Sequence, residues 1–196
     1  MVAGRAPSAR PVEQLVAVAS STGGVWVVGA MLRDLPPAGR AVALAQHMDG
    51  EFISFFARWL AATSGWHTVV VEGEVPFEAG SIYLPSGGKD LVVEGDRARA
   101  LPQRSRFVPS ADRLLASVAA RGRSAVGVVL SGMGSDGATG LAELVRAGGT
   151  GICQEPSTAV ASSESALRAS PTARAAPPEA LAGAVAAAFP GPNAGP

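Results

Sequence analysis

The segment from Leu15 to Leu32 most constrains the fold of this chain. The apolar run 15–19 is typical of a short buried strand, and it leads directly into the turn Ser20-Ser21-Thr22-Gly23-Gly24. The apolar stretch that begins at Val25 predicts a helix behind this turn. In such a strand–turn–helix unit, hydroxyl groups and free backbone N–H groups meet at the carboxyl end of the strand, where open α/β sheets bind their ligands.

Short apolar runs and stretches of helical periodicity alternate along the rest of the chain. We expect further strands over 41–45, 67–71, 125–130 and 150–154, and helices over 50–63, 141–147, 178–189 and from a cap at Ser110 to Arg121. The runs 81–84, 89–94 and 97–101 are expected to be antiparallel, because Gly95-Asp96 is a typical two-residue hairpin turn. The pattern predicts an α/β fold: a doubly wound, mostly parallel sheet with helices on both faces and an antiparallel hairpin.

Composition excludes several classes of function. The 196 residues hold 16 Lys and Arg against 16 Asp and Glu, and without a basic stripe we expect no nucleic-acid partner. No apolar run reaches the ~18 residues of a membrane span, and a single cysteine favours a reducing, cytoplasmic setting. We expect one domain over 14–189, a flexible lead-in over 1–13 and a disordered tail over 190–196.

A hydroxyl, an imidazole and a carboxylate are predicted at one edge of the sheet. His47 follows the strand 41–45, whereas His67 begins a strand and therefore lies at the opposite edge. Asp136 lies in a glycine-rich loop after the strand 125–130. With Ser21 or Ser20 these are the parts of a serine hydrolase. Each also has a purely structural interpretation: a hydrogen-bonded loop histidine, an aspartate at a helix N-terminus, and serines that cap a helix.

The sequence gives little support for other kinds of catalytic, nucleotide-binding or metal site. The chain has no G-x-S-x-G nucleophile elbow, no Walker motif, and no G-x-G-x-x-G directly after the first strand. Two separated histidines and one cysteine do not make a zinc site, so neither a metal nor a cofactor is expected. Cys153 ends a strand and is interpreted as a small buried hydrophobic residue.

Four segments closely resemble the catalytic domain of the chemotaxis protein-glutamate methylesterases, the CheB family. They are Ala19-Ser20-Ser21-Thr22-Gly23-Gly24, Gln46-His47-Met48 with the following 52–60, Pro109-Ser110-Ala111-Asp112-Arg113-Leu114, and 130–138 (LSGMGSDGA). The resemblance runs from about 15 to about 160 and preserves the order of the motifs. It implies the same doubly wound fold.

The resemblance also implies a role for each matched residue. Ser21 matches the nucleophile, His47 the general base, and Asp136 the carboxylate that orients the histidine. The backbone N–H of Met133 matches the oxyanion donor, and Thr22 would support the histidine or the oxyanion. The implied activity is removal of methyl groups from glutamyl esters on methyl-accepting chemotaxis receptors, often with deamidation of receptor glutamines. Other chemosensory signalling proteins are further candidate partners.

The chain departs from the family pattern at several positions. Asp90 stands where a histidine is usual, and the hairpin turn reads Pro-Ser-Gly-Gly. After Gln154, Glu155-Pro156 and 161–164 (ASSE) replace the usual acidic residue and Gly-Met-Pro loop. The family's N-terminal receiver domain has no counterpart here, so we expect a permanently open cleft. Two alternatives stay open: a receptor-binding module of the same fold without turnover, and a hydrolase of another carboxyl ester or amide.

Overall fold

The computed structural model describes residues 12–37 and 39–189. The strands in these ranges are β1 (Gln14–Ser20), β2 (Arg40–Gln46), β3 (His67–Val71), β4 (Glu74–Pro76), β5 (Ser81–Pro85), β6 (Lys89–Glu94), β7 (Arg97–Pro102), β8 (Ala125–Val129), β9 (Thr150–Gln154) and β10 (Arg174–Ala176). The helices are α1 (Gly24–Asp34), α2 (Ile53–Ser64), α3 (Ala111–Val118), α4 (Ala138–Arg146), α5 (Ser162–Ala169) and α6 (Leu181–Ala188). Short 3₁₀ turns cover Gly50–Phe52, Ala119–Ser124, Pro156–Thr158 and Pro178–Ala180.

Seven strands form one parallel sheet in the order β10-β9-β8-β1-β2-β5-β3. From β1 the chain first builds the sheet towards β2 and β3, and it later returns to β8 on the other side of β1. The direction of winding therefore reverses between β1 and β8. Ligand sites of open α/β sheets lie at such a reversal, outside the carboxyl ends of the strands.

The side chains of β1 point alternately into two hydrophobic cores, one on each face of the sheet. Leu15 and Ala17 pack on the face covered by α3, α4, α5 and the small sheet, while Val16 and Val18 pack on the face covered by α1, α2 and α6. Successive side chains of a strand point to opposite faces, and both faces of a parallel sheet are covered by helices. The predicted doubly wound fold is confirmed.

The small sheet is antiparallel, in the order β4-β7-β6. The predicted hairpin at Gly95-Asp96 is confirmed, since β6 and β7 pair from Glu94 and Arg97 outwards. The prediction that 81–84 belongs to this antiparallel unit is wrong, because β5 pairs in parallel with both β2 and β3. Every residue of β5 is buried, which is typical of a strand inside a parallel sheet.

Three elements were not predicted from the sequence: β4, α5 and β10. Val12 and Glu13, expected in the lead-in, are hydrogen-bonded: Glu13 N–H donates to the Gly39 carbonyl at 3.0 Å, and Arg121 donates to the Val12 carbonyl at 3.3 Å. The rest of the expected lead-in, and the tail 190–196, lie outside the described residues. Within 12–37 and 39–189, no helix is long and apolar enough to cross a membrane.

Candidate functional site

The cleft at the carboxyl edge of the sheet brings together Ser21, His47 and Asp136. Ser21 follows β1, His47 follows the neighbouring β2, and Asp136 lies in the loop between β8 and α4. Parallel pairing places the ends of β1 and β2 side by side, and the His47 N–H donates to the Ser20 carbonyl at 2.8 Å. The cleft encloses about 180 Å³, its open mouth included. Its lining consists of Ala19, Ser20, Ser21, His47, Ala111, Val129, Leu130, Asp136 and Ser162.

The imidazole of His47 is held by Asp136. Nε2 of His47 lies 2.8 Å from Oδ2 of Asp136, whose side chain is 3% exposed. Burial raises the pKa of Asp136, but the hydrogen bonds from His47 and from the backbone N–H groups of Asp112 and Ala111 outweigh it and hold that pKa below its ordinary value. An ionised carboxylate can only accept hydrogen bonds, so Nε2 of His47 carries the proton. In the neutral imidazole, Nδ1 is then the nitrogen that can act as a base.

The two adjacent serines differ in where their hydroxyls lie. Ser20 is buried, and its Oγ lies against Gly24, only 2.2 Å from where a Cβ on that glycine would stand. Ser21 is only partly buried, and its backbone N–H donates to the Ser131 carbonyl at 3.0 Å. No hydrogen bond joins the Ser21 hydroxyl to the His47 ring here. Such contacts are often loose without substrate. Of the two hydroxyls, that of Ser21 is the accessible one.

An aromatic side chain covers the histidine. The Phe107 ring stacks on the His47 ring with centroids 5.5 Å apart and planes 12° apart. The Arg106 guanidinium lies over the Phe107 ring, 4.8 Å from its centroid. Sequence reasoning missed both residues, because only their proximity to Pro109 and Ser110 links them to a motif. The stack and the hydrogen bond to Asp136 together restrict the orientation of the imidazole.

Asp90 has a structural role that the sequence did not indicate. Its side chain is fully buried and accepts hydrogen bonds from the Ser110 N–H at 2.8 Å, the Arg104 N–H at 3.2 Å and the Arg113 guanidinium at 2.9 Å. Burial of an ionised group is tolerated when it is paired and hydrogen-bonded in this way. Asp90 thus fixes the start of α3, whose first N–H groups bind Asp136.

A second pair of buried polar side chains links three loops at the cleft. Ser131 Oγ donates to the Thr22 carbonyl at 3.0 Å and accepts the Val160 N–H at 3.1 Å. Oε1 of Gln154 accepts the Ser131 N–H at 2.9 Å, while its amide nitrogen donates to the Thr158 carbonyl at 2.7 Å. The loop after β1 is therefore tied to those after β8 and β9. No local pattern in the sequence indicates these roles of Ser131 and Gln154.

The roles expected for Thr22 and Met133 stay predictions. The Thr22 side chain is exposed, and its hydroxyl makes no hydrogen bond within the described part of the chain. The Met133 side chain is 65% exposed, and its backbone N–H has no acceptor among the described residues. This N–H follows Gly132, which lies against Ser21, and an N–H without an acceptor at that place is compatible with an oxyanion donor.

The remaining candidates lie outside the cleft lining. Cys153 is buried, and burial raises the pKa of its thiol to about 12, as suits a hydrophobic residue rather than a nucleophile. His67 Nδ1 lies 3.4 Å from Ser81 Oγ, at the start of β3 and thus at the other edge of the sheet. In ranges 12–37 and 39–189, no three His, Cys, Asp or Glu side chains are grouped so as to hold a metal ion.

Comparison with known proteins agrees with the geometry. The family model described as CheB methylesterase matches residues 16–185. The chain is 39% identical to "Protein-glutamate methylesterase/protein-glutamine glutaminase 3" of Paramagnetospirillum magneticum, over 74% of this chain and 42% of that protein. It is 41% identical to "Protein-glutamate methylesterase/protein-glutamine glutaminase 3" of Anaeromyxobacter dehalogenans, over 76% of this chain and 46% of that protein.

The chain thus spans less than half the length of these curated relatives. Among solved structures, the fold is similar to the crystal structure of the Thermotoga maritima CheB methylesterase catalytic domain, with a TM-score of 0.77. The sequence identity is 23%, and the match covers 88% of this chain and 96% of the other. The family model extends over most of the chain and over every strand that carries the cleft. The chain belongs to the CheB methylesterase family.

Proposed function

We propose that this chain hydrolyses the methyl esters of glutamyl side chains on methyl-accepting chemotaxis receptors, with Ser21 as the nucleophile. The observation that carries the proposal is the 2.8 Å bond between His47 Nε2 and Asp136, in the cleft where the Ser21 hydroxyl is accessible. The names of the relatives support the substrate class. We place the activity in the cytoplasm, where a free cysteine persists.

In the first half of the reaction, Ser21 Oγ attacks the ester carbonyl carbon while Nδ1 of His47 takes the hydroxyl proton. The C=O electron pair moves to oxygen and forms an oxyanion, for which the Met133 N–H is the proposed donor. Asp136 holds the histidine in the correct tautomer and stabilises the imidazolium. Collapse of the intermediate breaks the bond to the methoxy oxygen, and His47 protonates that oxygen so that methanol leaves.

In the second half, water attacks the resulting ester on Ser21, and His47 again takes the proton. Breakage of the bond to Ser21 Oγ releases the glutamyl carboxylic acid and returns the proton to the serine. A glutamine side chain can follow the same course with ammonia as the leaving group. We include deamidation in the proposal because the relatives are named as glutaminases as well.

The cleft favours catalysis over a binding module without turnover. Asp136 binds only Nε2 of His47, so Nδ1 has no partner among the described residues of a ring that lines the cleft, and Phe107 fixes the ring plane. Burying a carboxylate beside a histidine brings no gain to a docking surface that only makes contacts. We further propose that 14–189 form the catalytic domain, with the first and last segments dispensable for turnover.

The decisive experiment is methanol release from a methylated receptor, with Ser21→Ala as the blank and Ser20→Ala as the matched control. We expect Ser21→Ala to abolish release and Ser20→Ala to retain most of it, because the Ser20 hydroxyl lies against Gly24. Equal losses in both variants would show that the wrong hydroxyl is assigned. Full binding of receptor without methanol release by the wild type would support the binding module instead.

A further inference from the structure

Ser162 contributes a hydroxyl to the cleft that the mechanism above does not use. It is the first residue of α5, its side chain lines the same cleft as Ser21 and His47, and only 7% of the residue is exposed. Its backbone N–H donates to the Gly132 carbonyl at 2.9 Å, which fixes its position. The hydroxyl itself makes no hydrogen bond to any described residue. Because this unpartnered oxygen is not among the fully buried ones, it reaches the open space of the cleft, where a bound group can accept its hydrogen bond.

The Ser162 hydroxyl and Ser21 both lie directly against Gly132. A Cβ added to Gly132 would lie 2.6 Å from Ser21 Cβ and 2.7 Å from Ser162 Oγ. Both serines therefore pack closely against Gly132, which only a residue without a side chain allows. Met133, whose free N–H is the proposed oxyanion donor, follows Gly132 directly. Ser162 Oγ and the residue that precedes this N–H thus both lie close to Ser21.

The surroundings of Ser162 favour negative charge. Ala161 provides no side-chain cap for α5, and although the Gly132 carbonyl accepts the Ser162 N–H, the N–H groups of Ser163 and Glu164 have no acceptor among the described residues. Glu164, the acidic residue of the first turn, is exposed and forms an ion pair with Arg168 at 2.6 Å. This pairing partly neutralises the Glu164 carboxylate. An anion that forms beside Ser21 would meet a hydroxyl donor and a helix N-terminus together.

We propose that Ser162 Oγ donates a hydrogen bond to the oxyanion formed when Ser21 attacks a carbonyl carbon. This inference rests on the proposed function, because it needs Ser21 as the nucleophile. The hydroxyl supplements the Met133 N–H, and it has no competing partner to give up at the moment of reaction. Such prearranged donors are effective because they need no reorganisation in the transition state.

The test uses phenylboronic acid, which imitates the intermediate without receptor. Ser21 Oγ forms a bond to boron, its proton passes to His47, and boron becomes tetrahedral and anionic. We expect Ser162→Ala to weaken boronate binding by roughly tenfold to a hundredfold, the range for a hydrogen bond to a charged group. The kcat for a small activated ester should fall by a similar factor with little change in KM.

Two further variants separate donation from packing. Ser162→Cys fills a similar space but donates poorly, so it should lose affinity as the alanine variant does. Ser163→Ala, which removes an unpartnered hydroxyl of the same helix that does not line the cleft, should bind the boronate as the wild type does. Melting temperatures of all variants show whether the fold is intact.

The outcomes distinguish this inference from the proposed function. Wild-type affinity in Ser162→Ala or Ser162→Cys overturns the role of the hydroxyl and leaves Ser21 in place. A boronate that binds Ser21→Ala as well as the wild type shows that no adduct forms on Ser21, and both proposals fail. Equal losses in Ser162→Ala and Ser163→Ala would mean that α5 has moved, which also overturns the inference.

Discussion

Asp136 accepts hydrogen bonds from the start of α3, the helix that contains Asp112, and Asp112 accepts hydrogen bonds from the start of α4, the helix that follows Asp136. Asp136 accepts the Asp112 N–H at 3.0 Å and the Ala111 N–H at 2.7 Å, at the beginning of α3. The Asp112 carboxylate accepts the Gly137 N–H at 2.9 Å and the Gly140 N–H at 2.8 Å, at the beginning of α4. This exchange fixes the Asp136 loop relative to α3, so that the carboxylate is prearranged for His47.

The first prediction is that Asp136→Asn reduces kcat strongly while the fold is retained. An amide supplies one acceptor oxygen in place of two, and its NH₂ group must face either His47 or the N–H groups of α3. The wrong histidine tautomer follows, and we expect a loss approaching ~10⁴-fold, the size known for this exchange in Ser-His-Asp triads.

Methanol release and circular dichroism measure the two effects. Asp112→Asn is the matched control: it perturbs the start of α4 but does not contact His47, so its loss of kcat should be far smaller. An Asp136→Asn variant within tenfold of the wild-type kcat would contradict the assigned role.

The second prediction concerns stability in acid. The pKa of Asp136 is lowered in the folded chain, so below about pH 4 the unfolded chain binds more protons and stability falls with falling pH. Asp136→Asn lacks this titration. The difference in free energy of unfolding between wild type and variant should therefore be largest at neutral pH and shrink as the pH falls below about 4. Urea unfolding between pH 3 and pH 7 measures it, and a constant difference would contradict the prediction.

The sequence predicted the site well where a residue directly follows a strand. Ser21 and His47 follow β1 and β2, and a buried apolar run ends in an unmistakable turn at each place. Parallel pairing of adjacent strands then brings their ends together without further information. Asp136 lies several residues beyond β8, and the glycine-rich loop was the only local sign of its role.

The sequence failed where tertiary contacts decide the outcome. The first four residues of α5 are all polar, so the apolar periodicity of a helix is weak there. Packing against α4 and β9 stabilises this helix. Asp90 lies in a strand whose four central residues are all buried, and nothing local shows that Arg113 and Ser110 converge on it from 20 or more residues away. The parallel pairing of β5 likewise depends on β2 and β3.

The third prediction is that losses at Ser21 and His47 are not additive. Removing either the nucleophile or the base disables the same step, so the second removal has little left to reduce. We expect Ser21→Ala, His47→Ala and the double variant to show residual turnover within about tenfold of one another. Methanol release with purified variants measures this. A double variant with the product of both single losses would show that the two side chains act independently.

The fourth prediction is that Asp90→Ala destabilises the protein. It leaves the Arg113 guanidinium, whose side chain is only 21% exposed, without its carboxylate, and it frees the N–H groups of Ser110 and Arg104. Removing one partner of a buried pair costs about 3 kcal/mol. Urea unfolding measures the loss, and Asp96→Ala in the exposed hairpin turn is the control, with an expected change within about 0.5 kcal/mol. Similar values in both variants would contradict a structural role for Asp90.

The fifth prediction is that Gly132→Ala disables the site without unfolding the chain. The added Cβ would lie 2.6 Å from Ser21 Cβ, which is shorter than any ordinary contact, so Ser21 must move away from its present position. A displacement of the nucleophile by about 1 Å can reduce turnover by about 10²-fold. Gly183→Ala in α6 is the control, because nothing lies within 4 Å of its added Cβ, and a helical alanine should stabilise by about 1 kcal/mol. Turnover and urea unfolding of both variants measure the two effects. Wild-type turnover in Gly132→Ala would show that the close approach of Gly132 to Ser21 is not needed for the reaction.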